Sequence, residues 1–429
     1  MANSIKIKTR YSGLSFFGNI PQNWDIVPLK YCFDFEKGKE SQIFTSEYCG
    51  NHIGKFPVYS GQTENEGVMA YVDKYIYDSL HRIFVTTVGA KAMTVKLISG
   101  KYSLSQNCAL FIQKNKDVHV IFYFYFLQSQ FEYEKEQLAD VMQPSLRFED
   151  LVKYKILLPN FSTQQKIADY LDIKTEQIKT FIENKKKLIN LLEEQKKTII
   201  YDAITKGLDK NVQTKPSGVE WLGDIPESWE VKKMKFLGEA IIGLTYSPKD
   251  IVSEGLGTLV LRSSNLKNNV ITKNDNVYVN KEIPKKLLTK KGDILICSRN
   301  GSVKLVGKNA IITTEDENLT FGAFTTVFRT SDYKYIHKYF NSHLFKSQSG
   351  LFSTSTINQL TTGILNELLV PMPQKEERTI IVEFIESETK KIDQAISTSK
   401  QEIELIKEYK KSLIYHAVTG KMETLYTNE

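Results

Sequence analysis

The chain of 429 residues lacks any long apolar run; the longest, 120–127 (VIFYFYFL), is far short of the roughly 20 residues that span a bilayer. No membrane partner is therefore expected. The opening residues, MANSIKIKTR, hold no apolar segment and no small-residue cleavage site, so no export signal is expected either. Cysteine is scarce: Cys32, Cys49, Cys108 and Cys297 are widely scattered, as befits a reducing cytoplasm. Charge of one sign is only mildly in excess, +7 overall, which is compatible with a polyanionic partner and weak support for one. Most telling, proline and glycine are missing from two stretches of more than forty residues, 160–206 and 374–419.

Those two stretches are one helix written twice. Shifted by 214, the first lies on the second without a gap: Thr175 on Thr389, Ile178 on Ile392, Ile189 on Ile403, Ile200-Tyr201 on Ile414-Tyr415, Thr205 on Thr419. A second repeat precedes each. The segment 12–24, SGLSFFGNIPQNW, returns at 217–229 as SGVEWLGDIPESW, offset by 205. The interval between the repeated blocks is nine residues longer in the second half (214 − 205). The order is cap, variable domain, helix, then cap, variable domain, helix, a duplicated scaffold carrying two different payloads. Boundaries are expected at 1–24 (cap), 25–159, 160–207 (helix), 208–229 (polar linker and second cap), 230–373, 374–420 (helix) and 421–429 (tail).

Ser162 with Gln165 gives a capping-box signature, and Gly207 stands at a C-terminal cap; Pro373 and Gly420 bracket the second copy. The 45 residues from Ser162 to Lys206 make a rod of about 67 Å. Such a rod needs a partner along its length. Leu171, Ile178, Leu192 and Ile199 recur in steps of seven or fourteen, and Ile182, Ile189 and Ala203 lie four residues on. The second copy repeats the pattern with Ile385, Ile392, Ile406 and Leu413 and with Ile396, Ile403 and Ala417. This 4–3 alternation is a coiled-coil seam, with polar interruptions in matching slots at Lys185/Ser399 and Lys196/Lys410. Antiparallel pairing within the chain is expected; separate helices docked on their own domains or on another subunit are the alternative. The fold class is α+β, two mixed α/β domains with an internal pseudo-twofold repeat.

Strands are expected at 82–88, 95–98 and 108–112 in the first variable domain, and at 258–261, 293–297, 310–313 and 325–329 in the second. An aromatic helix follows in each, at 119–130 and 335–348.

This ordered combination resembles the specificity subunit of Type I restriction–modification enzymes. Residues 162–172 (STQQKIADYLD) look like that family's helix-opening motif, and 203–209 (AITKGLD) like the step out of its first helix. The second helix departs by opening as Glu376-Glu377-Arg378-Thr379-Ile380-Ile381, and the first cap has Phe16-Phe17 where the second has Trp221-Leu222. The resemblance implies that each variable domain is a target-recognition domain reading half of a split, asymmetric sequence in double-stranded DNA. It implies that the helices space the domains and dock two methyltransferase (modification) subunits, which restriction/translocase subunits join. A domain of this size is about 37 Å across, so two side by side stand about one DNA turn apart.

The chain itself is expected to be non-catalytic, with no metal and no cofactor of its own; S-adenosylmethionine, ATP and Mg2+ belong to the partners. No Pro-Pro pair exists to supply an amino-methyltransferase motif. Residues 301–309 (GSVKLVGKN) have one residue too many for a phosphate loop and end in Asn309, and Gly255-Leu256-Gly257 lacks a third glycine. Cys49-Gly50-Asn51-His52 has no companion pair for zinc, and His337 and His343 read as helix-face residues.

Arg, Lys, Asn, Gln and Ser in loops both neutralise phosphates and bond to base edges. On that ground the candidate contacts in the first domain are Lys55, Tyr59, Ser60, Gln62, Thr63, Lys91, Lys96, Gln106, Asn107, Ser145 and Arg147. In the second they are Arg262, Ser263, Asn265, Arg299, Asn300, Ser302, Lys304, Ser355, Thr356 and Asn358. The run Lys185-Lys186-Lys187 reads as a solvated face. A structural adaptor spacing two protein-binding domains is the alternative function, separated from the first by whether duplex DNA binds in a salt-sensitive way.

Overall fold

The computed structural model describes residues 8–61, 67–89, 91–137, 145–302, 305–348, 359–422 and 425. Two compact units form, one of Met1–Lys185 with Lys400–Glu429 and one of Lys186–Ser399. The division falls inside both long helices, so each unit combines one variable domain with half of each helix.

In the first unit, strands β1 (Phe33–Lys37), β2 (Ile53–Tyr59), β3 (Val68–Val72), β4 (Tyr77–Thr86), β5 (Val95–Leu104) and β6 (Cys108–Gln113) form one sheet in the order β1-β6-β4-β5-β2-β3. All neighbours are antiparallel except β2 and β5. The last four residues of β4 are buried on both faces, which is why Ile83-Phe84-Val85 is continuously apolar instead of alternating. Ile83 and Val85 share a core with Phe122, Tyr123 and Phe126. Phe84 faces the other way, with Tyr77, Tyr102 and Leu110. Helix α1 (Ser46–Asn51) is capped by Thr45; α2 (Val120–Gln137) supplies the aromatic lid and runs seven residues beyond the expected end at 130 (137 − 130); α3 (Phe148–Lys153) is short. The strand Lys155–Leu158 pairs antiparallel with Asp25–Pro28, closing the domain before α4 (Phe161–Lys206) leaves it.

The second unit repeats this plan. Strands β7 (Glu239–Ile242), β8 (Ile294–Cys297), β9 (Asn309–Ile311) and β10 (Thr325–Arg329) lie in the order β7-β10-β8-β9. Their register matches β1-β6-β4-β5 pair for pair. Ile83 is opposite Phe111 and Leu97 in the first sheet, as Ile294 is opposite Phe328 and Ile311 in the second. Phe35 opposite Phe111 corresponds to Ala240 opposite Phe328. The offsets are therefore 211 (294 − 83), 217 (328 − 111), 214 (311 − 97) and 205 (240 − 35). A second sheet, in the order Ile251–Val252, Val277–Val279, Thr258–Leu261, Thr320–Phe321, covers the far face. Glu230–Lys233 pairs with Leu369–Met372 to close this domain.

The aromatic helix expected over 335–348 is two helices, α5 (Tyr333–Phe340) and α6 (His343–Ser347). The break has a local cause: Asn341 turns its amide back to the His337 carbonyl and the Ser342 hydroxyl bonds the Tyr339 carbonyl, so both side chains compete with the helical ladder. After α7 (Thr362–Glu367) the chain enters α8 (Lys375–Val418). The capping box at Ser162 is not used. Helix α4 is capped two residues earlier, where the Asn160 side chain accepts the Thr163 N–H at 2.8 Å.

Within the first unit the opening half of α4 and the closing half of α8 run antiparallel. Lys185 Nζ lies 2.6 Å from Glu402 Oε2, and Lys410 is placed beside Glu176 and Lys179. Leu171, Ile178, Leu413 and Ala417 are buried in one cluster, Ile182 and Ile406 pack against it, and Ile403 is buried. Within the second unit Lys196 Nζ lies 2.6 Å from Asp393 Oδ1, again antiparallel. Ala203 and Ile385 share a cluster, Ile392 and Ile396 are buried, and Ile189, Leu192 and Ile199 are half-buried. Of the lysine run, Lys186 and Lys187 are exposed, but Lys185 is turned into the seam by Glu402.

Candidate nucleic-acid interface

Each variable domain offers a cluster of turns at one end of its sheet, and hydrogen bonds fix these turns alike in both. In the first, β4 runs into Thr87 and Val88. The Thr87 N–H bonds the Asn107 carbonyl (2.9 Å), the Leu146 N–H bonds the Thr87 carbonyl (2.8 Å), and Val88 bridges Ser145. In the second, β8 runs into Ser298 and Arg299. The Ser298 N–H bonds the Phe324 carbonyl (3.0 Å), the Leu360 N–H bonds the Ser298 carbonyl (2.7 Å), and Arg299 bridges Gln359. Leu146 and Leu360 are buried and anchor the third strand of each cluster. Three backbone positions are thus equivalent, and they present Val88, Asn107 and Ser145 in one domain against Arg299, Phe324 and Gln359 in the other.

Around the first cluster a cleft of about 460 Å³ is lined in part by Ser41, Gln42, Lys91, Gln106 and Asn107. Lys91, Gln106, Asn107, Ser145 and Arg147 are exposed there, and Asn107 takes a left-handed φ of 66° that turns its side chain out of the strand. Lys55 is exposed on β2 with its ammonium over the Phe56 ring. Tyr59 is half-buried, edge-on to Tyr102, and Ser60 is buried, so neither stands free in the cleft. Lys96 is a correction: it lies within β5 opposite Phe84, with its ammonium shielded from solvent. Gln62 and Thr63 lie outside the described residues.

In the second domain Asn265 is also a correction. It is fully buried, and its amide bonds the carbonyls of Thr272 (2.9 Å) and Asn274 (3.2 Å) while its Oδ1 accepts the Arg262 N–H. It plugs a turn, and a side chain so committed has nothing left for a base. Arg262 is engaged too, by Asp275 at 2.9 Å. Ser263 is half-buried near the Cys297 thiol. Asn300 accepts the Ser302 N–H, shaping the turn from which Ser302 is exposed. Arg299 is half-buried with its guanidinium carbon over the Phe324 ring, 5.3 Å from the centroid, and Phe324 is 60% exposed. Lys304, Ser355, Thr356 and Asn358 lie outside the described residues.

Sequence reasoning did not single out Phe324, Gln359 or Val88. A phenylalanine after Gly322-Ala323, just before a strand, reads as the first core residue of that strand, and only the exposed ring shows otherwise.

Thiol chemistry has no support. Burial raises the pKa of Cys32, Cys49, Cys108 and Cys297, Cys108 to about 12, so none is a ready thiolate. His52, the partner of Cys49 in the lone C-x-x-H, is stacked on Tyr48 with Nδ1 at the Tyr48 carbonyl.

Over 421 residues the chain is 24% identical to the Type I restriction enzyme MjaVIII specificity subunit of Methanocaldococcus jannaschii, covering 95% of each. It is 26% identical over 215 residues to the Type I restriction enzyme EcoKI specificity subunit of Escherichia coli (strain K12), covering 48% of this chain and 46% of that one. A solved chain from a study of complex assembly and conformational transition of the type I R-M system has the same fold (TM-score 0.72, 13% identity, 94% of this chain and 99% of that one). The HsdS subunit from Thermoanaerobacter tengcongensis is similar at a TM-score of 0.55, 15% identity and 94% and 98% coverage. The profile of the Type I restriction modification DNA specificity domain matches residues 21–194 and again 226–405, so the chain belongs to that family and carries two copies of its domain.

Proposed function

We propose that this chain is the recognition subunit of a Type I restriction–modification assembly, reading an asymmetric split target in double-stranded DNA with one half-site per variable domain. It acts in the cytoplasm and performs no chemistry itself. The paired helices dock two modification subunits, restriction subunits join these, and S-adenosylmethionine, ATP and Mg2+ are bound by the partners.

The observation that carries this reading is the pair of matched turn clusters. The same hydrogen-bonded backbone presents Val88, Asn107 and Ser145 in one domain and Arg299, Phe324 and Gln359 in the other. Two identical readers would serve a palindrome; two readers on one plan with different side chains suit a target whose halves differ. Phosphate contacts position such domains, and side chains at base edges distinguish sequences.

The test exchanges residues 25–159 for the corresponding domain of another such subunit and sequences the methylome of a host that also expresses the modification partners. One half of the split motif is expected to change and the other to stay. Binding to the duplex should weaken linearly in log affinity against log salt. A change in both halves refutes independent reading, and salt-insensitive binding, or none, favours the structural adaptor.

A further inference from the structure

We infer that Arg299, held by the Phe324 ring, reads a guanine in the half-site met by the second variable domain, with Phe324 as its positioning residue. This rests on the proposed recognition of DNA and names a residue that carries it.

The second unit contains four arginines, and three are committed to carboxylates. Arg262 lies 2.9 Å from Asp275, Arg329 2.7 Å from Asp293 and Arg378 2.8 Å from Asp332. Among the described residues Arg299 has no carboxylate partner. Its guanidinium lies instead over Phe324, and the Arg299 backbone N–H bonds the Phe324 carbonyl at 3.1 Å. A cation–π contact of this kind makes no hydrogen bond and so leaves guanidinium N–H donors for another partner. A ring exposed to 60% beside those donors gains nothing from water, and contact with a base pair would cover it.

The position is as informative as the chemistry. Arg299 projects from the turn cluster at the end of the sheet, where three chain segments converge and where the first domain has Val88. The planar fork of arginine matches the O6 and N7 acceptors of guanine in the major groove, which no other base presents together. Valine and asparagine at the equivalent positions of the first domain have no such fork, so the two half-sites differ here.

Wild-type chain, expressed with its modification partners, first gives the motif by methylome sequencing, and the domain exchange assigns its halves. Arg299→Ala, Arg299→Lys and Phe324→Ala are then compared by methylome and by binding of the assembled complex to duplexes varied one base pair at a time. Arg299→Ala should relax one G·C pair in the second half, lowering discrimination there roughly ten- to a hundredfold, and leave the first half as strict as before. Arg299→Lys should relax the same pair, because an ammonium keeps the charge and loses the fork. Phe324→Ala should relax that pair and no other. Uniform weakening on all sequences by Arg299→Ala, rescued by Arg299→Lys, would make Arg299 a phosphate contact and overturn the inference, as would an unchanged motif. A wild-type chain that directs no split motif would defeat the proposed function instead, a distinguishable result.

Discussion

Replacing Gly420 by alanine tests how the last helix is fastened to the first cap. Gly420 follows α8 with a φ of 75°, and the Lys421 N–H reaches back to the His416 carbonyl at 2.8 Å, the geometry of a Schellman cap. A Cβ there would overlap the Pro21 ring, 2.5 Å from its Cγ, and lie 3.2 Å from Trp24. Two costs add: about 1–2 kcal/mol for a left-handed alanine and about 1–3 kcal/mol for overpacking against rings that cannot fold away. Gly13→Ala separates them, because Gly13 has a φ of 79° in the same unit and nothing within 4 Å of its Cβ position. In urea unfolding of the purified chain, Gly420→Ala should therefore lose about 2–5 kcal/mol and Gly13→Ala about 1–2. Gly207→Ala should fall between them, since its Cβ would meet the Glu377 carboxylate at 3.2 Å and the Trp229 ring at 3.3 Å, and the first of these can swing aside. If Gly420→Ala proved no worse than Gly13→Ala, the contact between the helix end and Pro21 would not exist in solution.

Two further outcomes follow from buried polar groups in the second unit. Burial, helped by Lys338 and opposed by Glu386, lowers the pKa of His337 from 6.5 to about 4, so unfolding takes up a proton between those values. The neutral ring leaves stability intact above pH 6.5, and about 3 kcal/mol should be lost as pH falls from 6.5 to 4, a slope that His337→Gln should flatten in pH-dependent urea titrations. The Tyr335 hydroxyl donates to the Pro371 carbonyl at 2.8 Å in the core, so Tyr335→Phe should cost about 1–2 kcal/mol in the same assay, and a neutral effect would mean that water reaches that carbonyl.

The helices and their seam were legible because an unbroken run without proline or glycine leaves few conformations open, and because a 4–3 apolar pattern has one economical burial. The central strands were legible for a similar reason, since Ile83-Phe84-Val85 and Ile294-Leu295-Ile296 are apolar on both faces. The candidate surface was not. Asn265 looks like any polar loop residue until the carbonyls it bonds are seen around it, and Lys96, near the start of an expected strand, shows nothing in its sequence of the shielding of its ammonium. The pairing of Val88 with Ser145 spans 57 residues (145 − 88), and the contact of Arg299 with Phe324 spans 25 (324 − 299); neither leaves a local trace. The register between the two domains was hidden by insertions that move the offset from 205 to 211, 214 and 217 along the chain.

Backbone and side chains divide the work differently across the repeat. Slots that match in sequence need not match in partner. Lys196 and Lys410 share a slot 214 residues apart, yet Lys196 is paired with Asp393, while the residue 214 before Asp393 is Lys179, which stands near Lys410 together with Glu176. Burial and Lys179 hold the Lys410 pKa below its usual value against the pull of Glu176, whereas Lys196 gains a charge-assisted bond. The turn clusters behave the same way: their N–H and carbonyl bonds are made by groups every residue carries, so Val88 and Arg299 hold one bridge position, and Asn107 and Phe324 each offer the accepting carbonyl although only Asn107 has a left-handed φ. A plan held by main-chain hydrogen bonds leaves its side chains free to diverge, which is what two readers of unlike sequences on one scaffold require.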